Sequence, residues 1–233
     1  MDSKHDCAEL IGRLTAGIGT QHQVCLTMGD CRFRITTNSE SLALEFTTYF
    51  APFLSTGSEA DIRITALQGK VPELGLAFQV KEPDPGKTKI KEEWIDIPGG
   101  RVIRKRLTGV HFFFGEGRNL AVGDCEGNPN QIVNFVNNRF IERKLNDGCL
   151  LAHAAGVAVC ETGMAMAGFS GMGKSTLALH LVSKGVTFVS NDRLMIRPGK
   201  PCPTMFGVAK HPRINPGTAL HNPDFAALAR AYG

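Results

Sequence analysis

The run Gly168-Phe169-Ser170-Gly171-Met172-Gly173-Lys174-Ser175 satisfies the spacing G-x-x-x-x-G-K-[ST] at every fixed position. Each residue type suits phosphate binding. Gly168, Gly171 and Gly173 lack a Cβ, which leaves backbone N–H groups free to turn inward around phosphate oxygens. A helix opening near Lys174 would point its positive end at the same oxygens. Lys174 is spaced to reach the β- and γ-phosphates, and the Ser175 hydroxyl to ligate Mg²⁺. The expected ligands are a purine nucleoside triphosphate and Mg²⁺. Their expected binding segment comprises Gly168, Phe169, Ser170, Gly171, Met172, Gly173, Lys174, Ser175 and Thr176. The bland alternative is a glycine-rich strand-to-helix turn that binds nothing.

A phosphate loop of this kind needs an acid for its metal. Val186–Val189 reads as a short β-branched strand running into Ser190-Asn191-Asp192-Arg193. That puts Asp192 at the carboxyl end of a strand, where open α/β sheets bind ligands. Asp192 is therefore the expected second metal ligand beside Ser175; its alternative is a turn residue paired with Arg193. His153 interrupts the apolar run Leu150–Cys160 on the strand leading toward the loop, and is a candidate for catalysis or for an ordinary satisfied core histidine. From Arg193 to Gly233 six basic residues face one acid, Asp224. Within that surplus Lys210 and Arg213 are the candidates for contacting nucleotide or phosphoserine oxygens, the alternative being a merely solvated basic surface, and Asn191 joins them as a substrate-side candidate.

These groups must be carried by elements, and the chain changes character near residue 148. Before it come short strands at Val24–Thr27, Cys31–Thr36, Ile62–Leu67, Trp94–Ile97, Val102–Leu107, Val110–Phe114 and Asn119–Gly123, separated by turn residues that suit antiparallel hairpins. A helix is expected over Ser41–Tyr49, capped by Asn38 or Ser39. Lys81–Lys91 reads as an exposed polar loop. Pro129 opens a longer helix in which Ile132, Val136 and Phe140 recur every four residues, with Val133, Ile141 and Leu145 beside them, and Gly148 closes it. Then follow strand, glycine-rich loop, a helix over Lys174–Lys184 with Leu177, Ala178, Leu181 and Val182 on its apolar side, and strand again. The expected organisation is a mostly β region over 1–127, a connecting helix over 128–148 and a phosphate-binding core over 149–233.

Composition narrows the class. At 233 residues with 42% hydrophobic residues, the chain can build a sizeable core. A net charge of +4 is too mild for a protein that coats nucleic acid, and no aromatic–basic interleaving is present. No apolar run is long enough to span a bilayer. The acid-bearing start MDSKHDCAEL is not a signal peptide. Seven scattered cysteines without a CxxC pair read as reduced thiols. A cytoplasmic protein without membrane or nucleic-acid partners is the expectation.

The stretch from His153 to Arg193, with GFSGMGKSTLALHLVSKG and VSNDR, resembles the catalytic core of HPr kinase/phosphorylase, and in particular the bacterial group called HPr kinase-related kinase B. In that family a histidine precedes the first loop glycine by the separation from His153 to Gly168. An acidic pair follows the loop lysine by the separation from Lys174 to Asn191-Asp192. The resemblance implies an α+β protein with an α/β phosphate-loop core akin to phosphoenolpyruvate carboxykinase, preceded by the mostly antiparallel region. It implies that Gly168–Ser175 holds ATP phosphates, that Ser175 and Asp192 hold Mg²⁺, and that His153, Lys174 and Asp192 are catalytic. The implied reaction is in-line attack of a serine hydroxyl on the γ-phosphoryl, an acidic residue taking the proton.

The chain departs from that pattern in three places. Asn191 stands where the family has the first acid of a pair, and an amide orients a hydroxyl without accepting its proton. The family's glycine-rich acceptor-side signature is replaced by Lys210-His211-Pro212-Arg213-Ile214-Asn215-Pro216-Gly217-Thr218, which argues against HPr itself as substrate. C-terminal helices of the family's kind do not follow, so the core is expected to be incomplete at its C-terminus. The expected acceptor is an unidentified serine-bearing molecule, first a protein and alternatively a small serine-like metabolite. The family assembles as homo-oligomers. A non-catalytic ATP-binding regulatory module is the alternative from another class.

Overall fold

The computed structural model describes residues 6–83, 85–86, 88–169 and 171–212. It is a mixed α+β protein whose chain divides into two compact units at Val136/Asn137. The division falls inside the helix α3 (Pro129–Asn146), rather than at either end of it.

The first unit opens on α1 (Cys7–Thr15), which the strand-dominated reading did not anticipate. Asp6 caps it, accepting from the N–H groups of Ala8 at 2.8 Å and Glu9 at 3.3 Å. Then come β1 (His22–Met28), β2 (Cys31–Thr37), α2 (Glu40–Tyr49), β3 (Ile62–Gln68), β4 (Gln79–Val80), β5 (Glu92–Ile97), β6 (Gly100–Lys105), β7 (His111–Gly115) and β8 (Arg118–Gly123). Ser39 caps α2 through the Leu42 N–H.

These strands form one eight-stranded sheet in the order β1-β2-β3-β8-β7-β6-β5-β4. Five of its pairings are antiparallel, as the turn residues suggested. The exceptions are β2 with β3 and β3 with β8, which are parallel. For the first of these the physical reason is α2, a crossover that carries the chain back so that β3 enters beside β2 in the same direction. Cys7 and Leu10 of α1 pack on Leu67, Ile97, Val102, Phe113, Leu120 and Val122. A fully buried phenylalanine such as Phe113 contributes about 1.5–3 kcal/mol by removing apolar surface from water.

Along α3, Ile132, Val136 and Phe140 are fully buried, as the four-residue recurrence suggested, whereas Leu145 is exposed. Gly148, in the left-handed region at φ 81°, closes the helix, and the Cys149 N–H bonds the Lys144 carbonyl at 2.9 Å.

The second unit contains β9 (Leu150–Ala152), β10 (Ala154–Val159), β11 (Thr162–Ala167), α4 (Lys174–Ser183), β12 (Thr187–Ser190), β13 (Leu194–Arg197) and β14 (Thr204–Gly207). They build two small sheets, β11-β10-β12 and β14-β13-β9. The apolar run after Gly148 is thus two strands in two sheets. His153 is the residue between them, not a residue within one strand. α4 packs on the first sheet through Ala178, with Leu181 and Val182, against Ala155, Val157 and Met166. Leu179 is buried instead of Leu177, which lies 49% exposed.

All seven cysteines are free. Cys7, Cys31, Cys125 and Cys149 are buried, and burial pushes the Cys125 thiol up to about 12. Among the described residues no helix is long and apolar enough to cross a membrane.

Candidate functional site

Strand register brings the predicted residues to one edge. β11 and β12 each pair antiparallel with β10, so they run parallel to each other, with α4 as the crossover between them. Ala154 pairs with Ala167, and Gly156 with Ser190. The start of β10 therefore lies beside the ends of β11 and β12. His153, the glycine-rich loop after Ala167, and the Asn191-Asp192 turn after Ser190 meet there. This is the carboxyl edge of two parallel strands, the place where such sheets bind ligands.

The loop's shape follows from its glycines. Gly171 at φ 85° and Gly173 at φ 81° occupy the left-handed region, which only glycine enters without a Cβ penalty. Gly173 is the N-cap of α4, and the Leu177 N–H bonds its carbonyl at 2.9 Å. Gly168 is not left-handed. At the tip the Met172 N–H donates to the Phe169 carbonyl at 3.3 Å, and the Phe169 N–H to Met172 Sδ at 3.2 Å. The Phe169 side chain is exposed.

Lys174 Nζ folds over the loop and donates to the carbonyls of Gly168 at 2.8 Å and Phe169 at 3.0 Å. The ammonium is held by the loop it belongs to, at hydrogen-bond length, where an arriving phosphate would compete for it. Ser175 Oγ donates to the Asn191 carbonyl at 3.2 Å, tying the first turn of α4 to the end of β12. Thr176 follows it on the exposed side of that turn.

Beyond β12, Ser190 is buried and its Oγ accepts from the Arg193 N–H at 3.3 Å. That side-chain turn bends the chain and presents Asp192. Asp192 Oδ1 lies 3.3 Å from His153 Nδ1, and Lys210 Nζ donates to Oδ2 at 2.9 Å. Burial alone would raise the Asp192 carboxyl. The Lys210 hydrogen bond and charge, with Arg193 and His153, outweigh it and hold the group below its ordinary value. Asn191 is buried.

Lys210 thus stands on the predicted metal-binding carboxylate. Sequence reasoning noticed its charge but had no signal for its partner, 18 residues away in the chain. Arg197, another member of the basic tail, stacks over the Phe206 ring at 4.8 Å, with Lys144 Nζ 4.3 Å from the same ring. Ser170 and Arg213 lie outside the described residues.

Comparison with protein-family models, with curated proteins and with solved structures finds no match to this chain. The site's meaning therefore rests on its geometry and motif alone.

The residues suit Mg²⁺ with a nucleotide. Among the described residues no group of three or more His, Cys, Asp or Glu could form a closed metal cage. Mg²⁺ beside a triphosphate needs no such cage, taking one or two protein oxygens and the rest from phosphate and water. Ser175 Oγ and the Asp192 carboxylate are hard oxygen donors, joined through the Asn191 carbonyl that the hydroxyl touches.

Proposed function

We propose that this chain is an ATP- and Mg²⁺-dependent phosphotransferase that passes the γ-phosphoryl group to a serine hydroxyl, a protein being the first expectation for the acceptor. The observation that carries the reading is the convergence of the complete G-x-x-x-x-G-K-S loop with His153 and Asp192 at one sheet edge. In this reading the N–H groups of the loop and the start of α4 hold the phosphates. Lys174 leaves the carbonyls of Gly168 and Phe169 to bond the phosphate chain. Ser175 and Asp192 hold the metal, which neutralises charge on the transferred group. His153 stands against Asp192 and fixes its orientation. The site is of the kind that HPr kinase-like proteins are expected to have.

A second reading is favoured by one specific contact. Asp192 is already ion-paired to Lys210, and the buried Asn191 cannot take a proton. An ATP-binding module without turnover fits those two facts.

Calorimetry of Mg·ATP binding to the wild type and to Lys174→Ala tests what both readings share. Binding that is lost in the variant supports them, and absence of binding by the wild type overturns them. Transfer of γ-labelled phosphate to serine peptides or to free serine then separates a kinase from a module that only binds.

A further inference from the structure

The first unit carries a feature that the phosphate-loop reading does not use: a cavity of about 200 Å³ lined by Lys81, Lys89, Lys91 and Lys105, with Glu82 and Glu92. The chain between β4 and β5 supplies most of its lining, with Glu92 and Lys105 from the ends of two paired strands. Lys81 follows β4, Glu92 opens β5, and Lys105 closes β6 directly opposite Glu92 in the ladder. The Lys81 N–H donates to the Glu92 carbonyl at 3.2 Å, so the strand end is fixed.

The electrostatics are lopsided. Lys81 Nζ bonds Glu92 Oε1 at 2.6 Å, and Lys105 Nζ bonds Oε2. Both oxygens of that carboxylate are occupied. Burial would raise the Glu92 carboxyl, but the two lysines hold it below its ordinary value, so it stays charged at neutral pH. Lys89 and Lys91 have no ion pair among the described residues. Among the described lining residues, four positive charges thus accompany two negative ones around one hollow.

We propose that this cavity binds a small phosphate monoester. At about 30 Å³ per water it has room for roughly six waters, enough for a phosphate group with a short carbon chain. Drug-sized and nucleotide ligands need roughly 300 Å³ or more. Two negative charges on the ester match the two unmatched positive ones, and lysine is a common point-charge partner of phosphate.

The test is a titration of the full chain with glycerol 3-phosphate and with inorganic phosphate, followed by backbone amide NMR. It includes Lys89→Gln/Lys91→Gln, the outside control Lys70→Gln, and Lys174→Ala. The expected result is saturable shifts around residues 79–83, 89–93 and 105. Binding should be about fivefold or more weaker in the double variant, since exposed charge contacts each contribute only a few-fold. The shifts at these three segments should be unchanged in Lys70→Gln, and they should be separate from any shifts at the glycine-rich loop, which alone should be lost in Lys174→Ala. Loss of the shifts at the three segments in Lys174→Ala would place the anion on the glycine-rich loop and overturn the proposal. Equal weakening in Lys70→Gln would reduce it to diffuse charge attraction, and absence of saturation would end it. Binding of inorganic phosphate without the ester would overturn the ester assignment.

Discussion

Lys210 and Asp192 form an ion pair of 2.9 Å in which the lysine takes the carboxylate oxygen that His153 leaves open. The pair holds the Asp192 carboxyl below its ordinary value. A carboxyl depressed in the folded state adds stability above its unfolded pKa, about 3.9, and loses it as pH falls through the folded value. Lys210→Met should return the carboxyl toward the ordinary range, seen by carboxyl ¹³C NMR. Because both side chains are about one-third exposed (28% and 32%), the stability loss at pH 7 should stay below about 1 kcal/mol.

Lys174→Ala should weaken Mg·ATP binding roughly ten- to hundredfold, because it removes a charge-assisted contact worth about 1.5–3 kcal/mol. Its thermal unfolding should barely move, since Lys174 Nζ bonds only loop carbonyls. Calorimetry and circular dichroism on the same samples check both halves.

Gly207→Ala is expected to destabilise the second unit by roughly 2–3 kcal/mol or more. A Cβ there would sit 2.1 Å from the Val189 carbonyl oxygen, and backbone cannot step aside as a side-chain end can. Chemical denaturation followed by far-UV circular dichroism reads the loss. A cost below about 0.5 kcal/mol, the range of ordinary surface changes, would refute the close approach of these strands.

His111 predicts an acid-sensitive first unit. Burial lowers its pKa, with Arg104 adding to that and the Gly109 carbonyl, 2.8 Å from Nδ1, opposing it. The ring lies between Phe78 and Phe113. Below the unfolded value of about 6.5 the unfolded chain takes a proton that the folded chain refuses, so stability falls as pH drops. His111→Gln should flatten the slope of stability between about pH 7 and 5, measured by urea unfolding at each pH.

Much of this was legible because its signals are local. Alternation such as that of Cys31–Thr37 marks strands, and Asp6, Ser39, Pro129 and Gly148 punctuate helices. Even α1 carried its cap and spaced apolar residues Cys7 and Leu10, although Gly12 weakens the pattern. The glycine-rich loop was fully spelled out, and the register confirms that His153 and Asp192 share its edge. What stayed hidden is nonlocal. Nothing in Leu150–Val159 marks a change of sheet, because Ala152-His153-Ala154 contains no glycine or proline. No pattern couples Lys210 to Asp192, since a salt bridge leaves no trace in periodicity. Leu177 and Leu179 are the same residue type, and only the packing of α4 decides which is buried.

The position of β10 between β11 and β12 also orders the assembly of the phosphate edge in time. β10 and β11 are neighbours in sequence and close a two-residue hairpin, a fast local event. β12 is reached only through α4 and must find the opposite side of β10, a less local and therefore slower closure. Until it docks, Asp192 has no reason to stand near His153. The last strand of this sheet to join is therefore the one that brings the expected metal-binding carboxylate to the glycine-rich loop. A chain caught by a protease during refolding should be cut after Gly185 before it is cut within the hairpin.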